Sequence, residues 1–182
     1  LGCLGEGYEV PSLWGVKEDV YCAGKDSTFV FLEDVLTEVT DLFPYELVHI
    51  GGDECPKARW KECPRCQRRM RDEGLGSEEE LQSYFVRRIE RFLASRNRRM
   101  VGWDEIRQGG LSETAIVLSR KREQGLRSAL ENGNDVIMTP YLNCYFDYYQ
   151  GSRETEPLAF GGFLPLRTAY DLDPFEGLNA EQ

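Results

Sequence analysis

Apolar residues along the chain fall into two kinds of run. Phe31, Leu32, Val35, Leu36, Val39 and Leu42 recur at helical spacing. That stripe predicts a helix over Phe29–Leu42, with Ser27 as its cap and Pro44 as its stop. Leu81, Tyr84, Phe85, Ile89, Phe92 and Leu93 form a second stripe. Ser77 followed by Glu80 makes a capping box, so this helix opens at Ser77 and runs to about Arg96. Four shorter runs, Leu47–Ile50, Met100–Trp103, Ala115–Ser119 and Asp135–Thr139, are too brief for helices and predict buried strands. A further helix is expected over Gln124–Glu131, closed by Gly133. Leu1–Gly24 has little periodicity and reads as a long loop. Tyr141–Gln182 is aromatic and rich in Gly and Pro, with few helical stripes.

Strand and helix thus alternate in four rounds with no hairpin signal, which predicts a parallel sheet with crossover helices. An open doubly wound sheet and a (β/α)8 barrel both satisfy this. No G-x-G-x-x-G follows any strand, which argues against the nucleotide-binding form of the open sheet. A whole barrel takes about 250 residues. The expectation is therefore an α/β chain forming a partial (β/α)8 barrel of about four of the eight units, one partial domain over residues 1–182. The chain opens at Leu1 rather than Met and reads as cut at both ends. Half a barrel would leave sheet edges and apolar surface uncovered.

Charge narrows the partners. Thirty-two acidic against 22 basic residues give a net charge of −10. Nucleic acid binding rests on Lys and Arg meeting phosphate, so this balance argues against it, and equally against an anionic membrane surface. No apolar run approaches the roughly 20 residues needed for membrane insertion. A neutral ligand such as a sugar is not repelled.

The chemistry concentrates at His49-Ile50-Gly51-Gly52-Asp53-Glu54. Adjacent carboxylates at a strand end point to different sides, so one can carry a proton while the other stays ionised. The glycines let backbone and ligand come close. A solvated acidic turn is the alternative. Likewise Trp103 can be a core residue, and Tyr145, Tyr148 and Tyr149 an aromatic loop cluster. His49 is the only histidine and reads as a satisfied core residue, which excludes a His-dependent triad within this chain. Six cysteines include Cys63-x-x-Cys66. Cys22, Cys55, Cys63 and Cys66 suit a structural zinc. The even count suits disulfides, which favours an exported compartment. Buried free thiols are the third reading.

His49–Glu54 resembles the signature of family-20 glycoside hydrolases, the β-N-acetylhexosaminidases. Gly102-Trp103-Asp104-Glu105-Ile106 is similar to the family's next strand. Asp135–Pro140 followed by Tyr145-Phe146-Asp147 resembles a later strand and its loop, and Pro157–Leu166 the approach to the last strand. The resemblance covers nearly the whole chain and keeps the family order.

It implies substrate-assisted hydrolysis with retention, in which the substrate's own 2-acetamido oxygen attacks C1. By position Glu54 is the general acid and later base. Asp53 accepts the acetamide N–H and stabilises the developing charge. Tyr145 donates to the acetamide oxygen, Asp147 binds a sugar hydroxyl, and Trp103 forms an apolar wall. Phe160 stands where several relatives place Trp. The implied partner is a glycan with a terminal non-reducing GlcNAc or GalNAc, and no metal or organic cofactor is required. Arg120 departs from the pattern, standing where the family usually has a second pocket Trp. The family's first-strand Arg and last-strand Trp-x-Glu have no counterpart here. Two other readings remain: a carbohydrate-binding relative with impaired turnover, which Arg120 favours, and an unrelated α/β protein with a four-cysteine zinc site.

Overall fold

A computed structural model of the chain describes residues 1–4, 8–121 and 131–174. It divides into two compact units, Leu1–Ile116 and Val117–Gln182. The first holds α1 (Asp26–Leu42), β1 (Leu47–His49), α2 (Ala58–Glu62), α3 (Pro64–Asp72), α4 (Glu78–Ser95), β2 (Arg99–Trp103) and a 3-10 turn over Asp104–Arg107. Strand β3 (Ile116–Ser119) begins at its last residue. The second unit continues with β4 (Val136–Met138), α5 (Tyr141–Cys144) and α6 (Leu166–Tyr170).

Among the described residues β1 pairs with β2 and β3 with β4, both parallel, as the missing hairpin signals require. In the first unit β1 lies beside β2, with Leu47 opposite Arg99 and His49 opposite Val101. The ladder continues past the end of β1, where the Ile50 N–H meets Val101 O and the Trp103 N–H meets Gly51 O, both at 2.9 Å. In the second, β3 lies beside β4 with Val117 opposite Val136 and Ser119 opposite Met138. All four strands fall within a residue or so of the predicted runs. Their burial differs for β1: Leu47 and His49 are exposed and only Val48 is partly covered.

Helix α4 is the spine of the first unit and packs on α1 and β2. Its predicted stripe is inward, with Leu81, Tyr84, Ile89 and Leu93 buried. Ser77 Oγ accepts the Glu80 N–H at 3.2 Å. The returning half of the box is displaced by one residue, since the Glu80 carboxylate accepts from Gly76 N–H at 2.9 Å. Phe29 of α1 is fully buried between the Tyr84 and Phe85 rings, with the Arg88 guanidinium 3.9 Å above its face.

Two expectations for α1 need correction. It begins at Asp26 with Lys25 in the capping position, so Ser27 lies in the first turn and does not cap. Its inward face is Phe29, Leu32, Leu36 and Thr40, spaced 3, 4 and 4 residues apart. Phe31, Val35, Val39 and Leu42 occupy the adjoining face and are exposed. Thr40 completes the inward row because its hydroxyl is satisfied, donating to Leu36 O at 2.8 Å and accepting from Arg96 Nε at 2.9 Å. The helix expected over Gln124–Glu131 lies, apart from Glu131, outside the described residues.

Candidate active site

Strand β1 ends in a loop that ordinary residues resist. Gly51 and Gly52 have φ of 75° and 90°. A Cβ on Gly52 would come within 2.3 Å of Ile106 Cγ2, so the second glycine is required by space as well as by conformation. Two residues on, Glu54 has φ of 47°. A non-glycine residue held there stores on the order of 1–3 kcal/mol, and such strain gathers at functional sites. Asp53 is half-buried and Glu54 is exposed. The turn therefore gives the two neighbouring carboxylates different surroundings, as a divided acid–base role requires.

Three side chains fix this loop. Gln82, buried on α4, donates from Nε2 to Gly52 O at 2.7 Å. Its Oε1 accepts from the Lys57 ammonium, which also reaches Cys55 O at 2.8 Å. His49 Nδ1 accepts the Gly51 N–H at 3.0 Å. The His49 ring meets the Trp103 ring edge-on, centroids 5.0 Å apart. His49 is thus satisfied but exposed, which corrects the expectation of a core histidine. Loss of hydration holds its pKa below the ordinary value, partly offset by the nearby Asp53 charge. Gln82 is inconspicuous in the sequence. Its only signal is a polar residue on the buried side of an otherwise apolar helical stripe.

In the second unit, α5 leads into Tyr145-Phe146-Asp147-Tyr148-Tyr149. This segment is stitched to 160–164 by main-chain bonds. Phe160 N–H donates to Asp147 O at 2.9 Å, Tyr149 N–H to Gly162 O at 3.0 Å, and Leu164 N–H to Tyr149 O at 2.7 Å. The rings form a row: Tyr145 meets Tyr148 edge-on at 5.6 Å, and Tyr148 stacks on Phe160 at 6.4 Å with planes 8° apart. A Cβ on Gly162 would lie 2.0 Å from the Tyr148 ring, so this glycine lets the ring settle on the backbone. Loss of hydration, with the neighbouring Tyr145 and Asp147, raises the Tyr148 pKa. Arg120 follows β3 directly, half-buried, and its carbonyl accepts the Tyr141 N–H at 3.2 Å.

The sequence-predicted residues therefore fall into two groups. Asp53, Glu54 and Trp103 share the end of β1 and β2 in the first unit. Tyr145, Asp147 and Phe160 share one stitched loop pair in the second.

The cysteines gather differently from the expected set. All six are free thiols. Four of them, Cys3, Cys22, Cys63 and Cys66, are buried with sulfurs all within 4.8 Å of one another. Cys55 is not among them. It sits in the loop directly after Glu54, whereas Cys3 is carried in by the N-terminal segment, whose Leu1 O accepts the Cys22 N–H at 3.0 Å. Contact with Cys3 and Cys66 pushes the Cys22 thiol down, and the same contact raises Cys3 and Cys66. Burial raises Cys55.

Parallel β/α units with paired carboxylates at a strand's C-terminal end are the arrangement of barrel enzymes. The catalytic domain of glycosyl hydrolase family 20 matches residues 5–182, and the chain belongs to that family. It is 50% identical over 175 residues to a β-hexosaminidase of Porphyromonas gingivalis, covering 96% of this chain and 22% of that protein. The crystal structure of β-N-acetylhexosaminidase from Bacteroides fragilis superposes with TM-score 0.81 at 28% identity, over 96% of this chain and 35% of that one. The exo β-N-acetylglucosaminidase of Vibrio harveyi, solved with N-acetylglucosamine, gives 0.78 at 30% identity, over 90% and 26%. The chain thus spans about a quarter to a third of the proteins it matches, and its fold is part of their (β/α)8 barrel. Family membership removes the reading as an unrelated zinc protein.

Proposed function

We propose that this chain is part of the catalytic domain of a retaining exo-β-N-acetylhexosaminidase that releases terminal non-reducing GlcNAc or GalNAc. The observation that carries this is the Asp53-Glu54 pair on a strained Gly-Gly turn beside Trp103, in a chain of family 20. In this reading the substrate's acetamide oxygen attacks C1 and forms an oxazolinium ion as Glu54 protonates the leaving oxygen. Asp53 accepts the acetamide N–H and stabilises the positive charge. Water activated by Glu54 then opens the ring with net retention. Tyr145 orients the acetamide, Asp147 takes a sugar hydroxyl, and Trp103 and Phe160 supply apolar surface to the sugar's C–H faces. The exposure of Glu54 and the partial burial of Asp53 support this division of roles.

The test is hydrolysis of a natural GlcNAc-terminated glycan and of nitrophenyl-GlcNAc by the protein and by its E54Q variant. Removing the acid should lower turnover on the glycan by about 10²–10⁴-fold. The loss should be smaller with nitrophenol, a leaving group that needs less protonation. Near-normal cleavage of the glycan by E54Q would overturn the assignment. Arg120 supports a second reading, a relative that binds such sugars with weak turnover; binding of GlcNAc without hydrolysis of either substrate would establish it.

A further inference from the structure

We propose that Cys3, Cys22, Cys63 and Cys66 bind one structural Zn²⁺ that ties the N-terminal segment to the helical segment following the acid pair. This rests on the four sulfurs and their setting, and is independent of the hydrolase reading.

The distances are the first argument. Cys3 and Cys66 sulfurs are 3.7 Å apart, Cys22 and Cys63 3.8 Å, and Cys22 and Cys66 3.6 Å. A tetrahedron of thiolates at about 2.3 Å from a central zinc has edges of about 3.8 Å. Three edges of the observed group already have that length, and no other pair in it exceeds 4.8 Å. Disulfides would instead need sulfurs at about 2.0 Å, and would consume the thiols in pairs.

The setting is the second argument. Cys22 and Cys66 are fully buried, and Cys3 and Cys63 nearly so. Four thiols converging in one dry place have only each other as partners, whereas a dication gives each of them a strong bond. Cys63 stands immediately before α3 and Cys66 in its first turn, with Pro64 between them opening the helix. A helix N-terminus favours the thiolate form.

Close backbone approach is the third. A Cβ on Gly24 would lie 2.2 Å from the Arg65 carbonyl carbon and 2.5 Å from Cys66 N. The turn after Cys22 therefore rests directly on the Cys63–Cys66 turn, and only glycine allows it. Other contacts hold the same segments in place. Lys25 Nζ donates to Gly2 O at 2.6 Å and Trp60 Nε1 to Tyr21 O at 2.9 Å.

Zinc rather than magnesium or calcium follows from the all-sulfur donor set, and the closed tetrahedron leaves no position for a reacting water. Binding forms four Zn–S bonds and releases the four thiol protons to solvent, leaving a site with net charge −2. No electron is exchanged. The ion would fasten α2 and α3, which begin four and ten residues after Glu54, and so limit the motion of the loop carrying the acid pair.

The protein purified from zinc-supplemented medium without chelator should contain about one zinc per chain by elemental analysis. Replacement by Co²⁺ should give the intense near-ultraviolet sulfur-to-cobalt bands and visible spectrum of a tetrahedral thiolate site. C3S and C66S should lose the metal, and C55S and C144S should keep it. If C3S or C66S fails to fold, zinc stoichiometry and the cobalt spectrum of the unmutated protein decide. Three results would overturn the proposal: metal-free protein whose four buried thiols are free or disulfide-linked by mass mapping, iron in place of zinc, or zinc loss from C55S equal to that from C3S.

Discussion

The side-chain amide of Gln82 donates a 2.7 Å hydrogen bond to the carbonyl oxygen of Gly52, joining the central helix to the turn that presents Asp53 and Glu54. The same amide oxygen accepts from Lys57, so one buried residue braces the loop on both sides of the acid pair. Gln82 touches no reacting group in the proposed chemistry and acts by position. Q82L leaves Gly52 O without this donor and Lys57 without this acceptor, which should cost about 1–3 kcal/mol in urea unfolding. Q82E keeps a partner for Lys57 but cannot donate to Gly52 when ionised. In a turnover-competent protein both variants should lower kcat by roughly 10-fold, a barrier change of about 1.4 kcal/mol, with KM little changed. A loss of stability with unchanged kcat would show that Gln82 supports the fold without positioning the loop.

His49 makes the neighbouring bond pH-dependent. Its Nδ1 accepts the Gly51 N–H, which an imidazolium cannot do. Desolvation depresses its pKa in the folded protein below the ordinary 6.5. The unfolded chain therefore binds the proton first as pH falls. The contribution to stability is complete above about pH 6.5 and is lost as pH drops through the folded value. NMR titration of the single histidine should give a folded pKa below that of the denatured chain, and H49Q should flatten this part of the stability profile. A folded value above the denatured one would refute the account.

Much of the fold was legible in the sequence because its signals are local. Short β-branched runs mark β1 to β4, and Ser77 with Glu80 marks the start of α4. The Gly51-Gly52-Asp53-Glu54 turn was legible as chemistry for the same reason: two glycines before two carboxylates are unusual within four residues. What was not legible is non-local. Helices α2 and α3 are short, rich in Arg and Lys, and anchored by Trp60, Cys66 and Met70, whose partners lie far away in the chain. Cys3 joins Cys66 across 63 positions, and no spacing rule selects it over Cys55. The inward face of α1 was not legible because Thr40, polar in isolation, is buried by the bonds it makes with Leu36 and Arg96.

Asp53 can be separated from Glu54 by ligand binding alone. If the acetamide is the nucleophile, a thiazoline mimic of the cyclised sugar should bind tightly, as transition-state-like ligands do. D53N removes the charge that meets the oxazolinium while keeping the side chain's size. It should weaken thiazoline binding by roughly 10²-fold, equivalent to about 2.7 kcal/mol, and weaken plain GlcNAc much less. Calorimetry with both ligands measures this. Equal losses would mean that Asp53 does not read the developing charge.

Arg120 is the residue that fits the proposed site least well. It stands at the C-terminal end of β3, where side chains of this fold face the site. A Trp there would supply an apolar wall for the acetamide methyl and exclude water. A guanidinium keeps its charge and needs water or a carboxylate. Arg120 therefore leaves the acetamide without that wall. Its backbone is anchored independently of the side chain, since its carbonyl accepts from Tyr141, so substitution need not disturb α5. R120W should therefore raise kcat/KM for a GlcNAc glycoside by roughly 10-fold, about 1.4 kcal/mol of transition-state stabilisation. The gain should shrink for a glucoside, which has no acetamide to enclose. No change would place Arg120 outside the pocket. A large fall would show instead that the guanidinium meets the substrate, and glycans bearing an acidic group would then be the ones to assay.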